Sequence, residues 1–201
     1  MTMNKFFICR HCKSVLDGKD MERDLDEDGK KQSKSLSNKI AKLIDDNTVI
    51  YSSPFIRAVN SLEPLKADLP NINLIQEDGL KEINLGKSDK LSKHQIIENM
   101  WLDGNFKVDN GESQLECFER IKPFLVQAFE MYNKNKKNII FVTHGNLIGI
   151  ILKYFFHLKF DFNDWKSISM PDFYKIVFDE NMKALSYERD VENIDNLFYV
   201  K

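Results

Sequence analysis

Histidine and arginine are scarce in this chain, which has four histidines and five arginines among 201 residues, yet they occur together. Arg10 precedes His11, Arg57 follows the segment 48–53, and His144 precedes Gly145. Planar guanidinium groups match the oxygen atoms of phosphate. A neutral imidazole can attack phosphorus and carry a phosphoryl group, while a second histidine donates to the oxygens. Two fixed guanidinium charges would repel a metal cation, so these residues indicate phosphoryl chemistry without a metal.

Such a reaction also needs an acid that protonates the leaving oxygen. Glu82 lies in a loop after the predicted strand 72–76 and is the best placed carboxylate. A solvated loop charge is an equally good interpretation of Glu82 from the sequence alone.

Each of the three histidine and arginine groups directly follows a predicted strand, at 5–9, 48–52 and 139–143. Strands alternate with helices, which predicts an α/β fold, a three-layer α/β/α sandwich with a mostly parallel central sheet. Open α/β sheets bind ligands at the carboxyl ends of their strands, so the groups should meet there. Two more strands, 174–178 and 184–188, are predicted as a hairpin over Asn181. The predicted helices are 27–45, 56–67, 93–101, 146–157 and a longer one after Ser113.

Length and composition favour one domain over 1–201, with a small helical lid around 88–110. The formal net charge of −2 gives no support for a nucleic-acid partner or a membrane-surface protein. The most apolar stretch, 139–158, contains His144, Asn146 and Lys153, which favours a strand and a helix over a membrane span. Three cysteines favour a reducing cytoplasm. Whether the chain forms a homodimer stays open.

Several short segments carry these residues and follow one another in a recognisable order. They are Arg10-His11-Cys12-Lys13-Ser14, Gly29 with Gln32, Ser52-Ser53-Pro54-Phe55-Ile56-Arg57-Ala58, Leu80-Lys81-Glu82-Ile83-Asn84-Leu85-Gly86, Gly111-Glu112-Ser113 and Val142-Thr143-His144-Gly145. The ordered set resembles the histidine phosphatase superfamily, the phosphoglycerate mutase-like group, over three quarters of the chain.

The resemblance implies a phosphoglycerate mutase-like fold and an enzyme that needs neither a metal nor an organic cofactor. It implies that His11 is the phosphorylated nucleophile. Arg10, Arg57 and His144 would hold the phosphoryl oxygens, and Glu82 would donate the proton. The expected activity is hydrolysis of a small phosphate ester through a phosphohistidine. Phosphoglycerate mutase-type transfer is one alternative, and a low-activity regulatory protein that binds a phospholigand is another.

Gly145 and Asp17 complete the expected substrate-binding set, and three residues depart from the family pattern. Asp17 stands where the family often has a phosphate-binding Asn, and its carboxylate would repel phosphate. Cys12 replaces a Gly and must therefore take ordinary backbone dihedrals. Lys13 replaces an acid or Gln, and would either add positive charge at the pocket mouth or point to solvent.

Cys9 and Cys12 also form a C-x-x-C pair at the end of a strand. Such a pair occurs in redox proteins, and with His11 it could supply half of the ligands of a zinc site. Cys9 should end a buried strand, and Cys117 is the one other thiol in the sequence. Phosphoryl chemistry therefore remains the favoured interpretation.

Overall fold

A six-stranded sheet forms the centre of the molecule in the computed structural model, which describes residues 4–135, 138–179 and 183–189. The strand order across the sheet is β3-β2-β4-β1-β5-β6. The strands are β1 (Asn4–Arg10), β2 (Val49–Ser52), β3 (Leu74–Gln76), β4 (Ile139–Thr143), β5 (Asp172–Phe178) and β6 (Ala184–Arg189).

The first four strands in the chain are parallel to one another. At one edge, β5 pairs antiparallel with β1, and β6 pairs antiparallel with β5. Arg10 pairs with Thr143, and Ser52 pairs with Val142, so β1, β2 and β4 end at the same height. The expectation of a mostly parallel sheet is confirmed. Strands β5 and β6 pair as the predicted hairpin requires, and its turn at Asn181 lies outside the described residues.

Seven α-helices in the described part of the chain connect or cover these strands. They are α1 (Glu27–Ala41), α2 (Ile56–Asn60), α3 (Glu63–Asp68), α4 (Lys93–Leu102), α5 (Gln114–Asn135), α6 (Gly145–Ile150) and α7 (Phe162–Lys166). In this described part, no helix combines the length and the apolar character needed to cross a membrane.

Three helices differ from the sequence prediction for local reasons. The helix predicted at 56–67 is two helices, because Pro64 has no N–H to continue the backbone ladder and the Ser61 hydroxyl donates to a backbone carbonyl. Helix α1 ends before residue 45, where Asp45 and Thr48 close a turn into β2. In the helix predicted at 146–157, the α-helical part ends at Ile150, and the next residues, Ile151–Phe155, form a π-helical turn.

Alternate residues of β1 point to opposite faces of the sheet, as the two-residue period of a strand requires. Phe6 and Ile8 belong to an apolar cluster that includes residues of α4, α5 and α6. Phe7 and Cys9 belong to a second cluster with residues of α1, α2 and α3. Helices therefore cover both faces of the sheet, which confirms the expected three layers.

Candidate active site

The ends of β1, β2 and β4 bring the predicted histidines and arginines together. The His11 N–H donates to the Thr143 carbonyl at 2.9 Å, which fixes the turn after β1 beside the end of β4. The rings of His11 and His144 lie 5.0 Å apart between centroids. Arg57 Nε is 3.1 Å from His11 Nε2, and the Arg57 side chain is buried.

His11 is held in one tautomer by the backbone. Its Nδ1 lies 2.7 Å from the Cys12 carbonyl, and a carbonyl only accepts, so Nδ1 carries the proton. The lone pair therefore sits on Nε2, which accepts from Arg57. Burial, with the charges of Arg57 and Arg10, holds the pKa of His11 well below its usual value. His11 is thus a neutral, oriented nitrogen base at neutral pH.

His144 is oriented by a serine. Its Nε2 lies 2.8 Å from Ser53 Oγ, and that oxygen also accepts from the Phe55 N–H. The other ring nitrogen, Nδ1, is buried and has no hydrogen-bond partner among the described residues. Burial and the neighbouring His11 and Arg57 keep the pKa of His144 well below its usual value. Nδ1 is therefore the ring nitrogen available to a phosphoryl oxygen.

Arg10 lies across Gly145 with part of its guanidinium fixed. Its Nη1 donates to the Ile168 and Ser169 carbonyls at 2.8 and 3.2 Å. A Cβ on Gly145 would stand 3.1 Å from Arg10 Cζ, so this position favours glycine. Arg10 Nε is buried and has no hydrogen-bond partner within the described ranges, which leaves it able to bind an anion.

The Glu82 carboxylate lies near the same cluster, against the first turn of α6. Its Oε2 accepts from the N–H and the side-chain amide of Asn146, both at 3.2 Å, and its Oε1 accepts from the Leu147 N–H at 3.1 Å. Burial raises the pKa of Glu82, although the backbone N–H groups of Ile83 and Asn146 and the charges of Arg57 and Arg10 oppose that shift. A raised pKa suits a group that must hold a proton before it donates one.

Two further residues belong to the site, and the sequence analysis did not single them out. The Asp20 carbonyl accepts from Arg57 Nη1, and its carboxylate lies 3.3 Å from Arg57 Nη2. Arg23 pairs with the same carboxylate. The charge of Arg23 also contributes to the lowered pKa values of His11 and His144.

A family profile matches nearly the whole of the chain that carries these residues. The profile of the histidine phosphatase superfamily, branch 1, covers residues 6–190. The chain belongs to this superfamily. The ordered segments lie within that match, and the resemblance seen in the sequence is confirmed.

Solved structures share the histidine phosphatase fold with this chain. "Mycobacterial hydrolase 1" has a TM-score of 0.72 and 17% identity, over 94% of this chain and 97% of the other. A mycobacterial glucosyl-3-phosphoglycerate phosphatase in complex with inorganic phosphate has a TM-score of 0.70 and 18% identity, over 93% of this chain and 95% of the other. A phosphoserine phosphatase variant of Entamoeba histolytica has a TM-score of 0.70 and 18% identity, over 91% of this chain and 95% of the other. Comparison with curated protein sequences finds no match.

The cysteine that replaces the superfamily's glycine is accommodated without strain. Cys12 does not adopt a positive φ, and its side chain is buried in the apolar cluster beneath α1. Its N–H donates to Ser61 Oγ at 2.8 Å. Burial raises the pKa of Cys12 to about 11 and that of Cys9 well above its usual value. Neither thiol has the lowered pKa of a redox cysteine, and no group of three metal-binding side chains occurs in the described ranges.

Lys13 and Asp17 lie apart from the contacts of the cluster. Lys13 Nζ pairs with Asp28 at 2.6 Å and with Asp26 at 3.4 Å, so its charge is directed toward the start of α1. Asp17 is exposed in a bend, and within the described structure it has no hydrogen bond or ion pair. The carboxylate that contacts Arg57 is that of Asp20, three positions further along the chain.

Proposed function

We propose that this protein is a phosphomonoesterase that hydrolyses a small phosphorylated metabolite through a phosphohistidine on His11, without a metal ion. The observation that carries the proposal is the tautomer of His11. The bond from Nδ1 to the Cys12 carbonyl leaves the lone pair on Nε2, directly beside the Arg57 guanidinium. An anion held by Arg57 would present its phosphorus to that lone pair.

The first step forms a bond between His11 Nε2 and phosphorus and breaks the ester P–O bond. Negative charge remains on the three equatorial oxygens, where guanidinium and imidazole donors stabilise it. Arg10, Arg57 and, with its proton on Nδ1, His144 are the donors in this step. The leaving oxygen takes a proton from Glu82, whose pKa burial raises.

The second step returns the enzyme to its starting state. Water attacks phosphorus, the Glu82 carboxylate accepts the proton of that water, and the P–N bond breaks. Inorganic phosphate leaves, and His11 Nε2 regains its lone pair. Every proton and electron pair is thus accounted for by His11, Glu82 and water.

Hydrolysis is favoured over mutase-type transfer because a mutase must keep water away from its phosphohistidine. The segment between Glu82 and Gly111 is short and contains a single α-helix, α4. Four residues of α4 are buried in the apolar core, so this helix is anchored there: Ile96, Ile97, Met100 and Trp101. The segment 88–110 is proposed as a small lid that leaves the site open to water.

The test is hydrolysis of p-nitrophenyl phosphate in excess EDTA by the wild type and by His11→Asn. We expect EDTA-resistant turnover in the wild type and a loss of at least about a hundredfold in the variant, as for removal of a nucleophile. Rapid alkaline quenching should trap an acid-labile phosphoryl group on the wild type alone.

His157→Asn is the matched control, because His157 is exposed and asparagine tolerates its positive φ of 53°. The control should keep full activity. Activity that survives in His11→Asn would refute the assigned nucleophile. Activity abolished by EDTA would refute the metal-free mechanism.

A further inference from the structure

The loop that carries Glu82 is held by an ion pair outside the pocket. Arg120 of α5 donates through Nε to Glu112 Oε1 at 2.7 Å, and through Nη2 to Oε2 at 3.3 Å. Glu112 belongs to the Gly111-Glu112-Ser113 segment, which the sequence singles out and the proposed reaction does not use. The contacts of this pair indicate a role for that segment.

Arg120 binds the backbone on the amino-terminal side of Glu82. Its Nη1 donates to the Gly79 carbonyl at 2.8 Å, and its Nη2 to the Lys81 carbonyl at 3.2 Å. Nη2 also lies 3.3 Å from Cys117 Sγ. A planar guanidinium presents its donors in a fixed fork, so these carbonyls are held at a fixed spacing.

Glu112 binds the backbone on the carboxyl-terminal side of Glu82. Its Oε2 accepts from the Asn84 N–H at 2.9 Å, and its own N–H donates to the Asn84 carbonyl at 2.7 Å. The loop lies directly on this segment, since a Cβ on Gly86 would stand 2.9 Å from Gly111 Cα. One ion pair therefore fixes the chain both before and after Glu82.

We propose that Arg120 and Glu112 are positioning residues that hold the Glu82 carboxyl where it can donate a proton to the leaving oxygen. This inference rests on the proposed function. Neither residue contacts the reacting atoms, so both act through Glu82. Displacement of a catalytic group by about 1 Å can cost about a hundredfold in rate. A loop held at both sides of the acid limits such displacement.

The choice of leaving group separates proton donation from general damage. An alkyl phosphate, such as glycerol phosphate, needs the acid, whereas p-nitrophenolate leaves without a proton. In Arg120→Lys and Glu112→Gln we expect kcat/KM, which reports formation of the phosphohistidine, to fall about tenfold or more for the alkyl ester and less than about threefold for the aryl ester. The later hydrolysis of the phosphohistidine, in which Glu82 acts as the base, is common to both esters and does not enter kcat/KM. Glu82→Gln should show the same selective loss, and a larger one.

Glu119→Gln is the matched control, because Glu119 pairs with Lys122 on the exposed side of the same helix. It should leave both rates unchanged. Equal losses of kcat/KM with both esters would overturn the positioning role while the wild type still supports the proposed function. A wild type that hydrolyses neither ester overturns the proposed function itself. Thermal unfolding of each variant shows that the folded proteins are compared.

Discussion

At the scale of single residues, the neutral state of His11 determines how the rate depends on pH. An unperturbed histidine titrates near about 6.5. Burial and Arg57 lower the pKa of His11, so its neutral form persists into more acidic solution. We expect kcat/KM for p-nitrophenyl phosphate, which reports the free enzyme, to stay constant on acidification through about 6.5, and to fall only at lower pH.

The measurement is a pH profile of kcat/KM, with Arg57→Met as the comparison. Removal of the Arg57 charge should lower kcat/KM and move its acidic limb to higher pH, because one of the causes of the shift is gone. A wild-type limb centred between about 6.5 and 7 would contradict the lowered pKa.

Asp20 and Arg23 show where residue-level prediction from the sequence stops. His11, Arg57 and His144 follow strands, and strand ends can be placed from apolar runs alone. Asp20 and Arg23 lie in an irregular, highly charged loop whose path depends on tertiary contacts. The scarcity of arginine was a usable signal for Arg23, because this chain otherwise uses lysine for its basic charge.

At the scale of elements, the antiparallel strands β5 and β6 support the loop that fixes Arg10. Asp172 at the start of β5 accepts from the Ser169 N–H at 3.0 Å and from Arg189 Nη2 at 2.5 Å. Arg189 Nη1 also donates to Ser167 Oγ at 2.7 Å. The Ile168 and Ser169 carbonyls, which hold Arg10 Nη1, are therefore kept in place by the ion pair of Asp172 and Arg189.

We expect Arg189→Lys to weaken inhibition by inorganic phosphate about threefold to tenfold, since Arg10 loses its fixed orientation. This corresponds to about 0.6–1.4 kcal/mol, less than the roughly 1.5–3 kcal/mol that a whole charged hydrogen bond contributes. The measurement is the inhibition constant for phosphate with an aryl ester as substrate. Lys175→Met is the control, because Lys175 pairs with Glu188 across the same two strands at 2.8 Å. Equal effects of both variants would mean that the strands act as a general support alone.

Element boundaries were predictable where the sequence pattern is continuous and less so where side chains compete with the backbone. The predicted strand 139–143 matches β4, since five consecutive apolar or β-branched residues form it. Ser61 and Pro64 divide the helix predicted at 56–67, and neither changes the apolar spacing that suggested a single helix. The hydrogen bonds of Arg120 and Arg189 join distant segments, so no local pattern could show them.

At the scale of the whole molecule, two buried neutral histidines link stability to pH. The folded state holds the pKa values of His11 and His144 below their unfolded value of about 6.5. Below that pH the unfolded chain binds more protons, so stability is lost as pH falls from about 6.5 toward the folded pKa values. Each histidine contributes a slope of up to about 1.4 kcal/mol per pH unit.

Urea unfolding at several pH values between about 5 and 7.5 measures this slope. We expect the free energy of unfolding to decrease on acidification, and the decrease to be smaller in the double variant His11→Asn/His144→Asn. A double variant with an unchanged slope would show that other groups determine the acid sensitivity. The baseline stability of the variant does not affect this comparison of slopes.

The distribution of arginine across the fold has a practical consequence for spectroscopy. All five arginines lie in the site or hold a loop that shapes it: Arg10, Arg23, Arg57, Arg120 and Arg189. Isotopic labelling of this one amino acid would therefore give a sparse set of guanidinium NMR signals, each of which reports on the site or its supports. A ligand titration followed in this way would be free of interference from the lysine-rich surface.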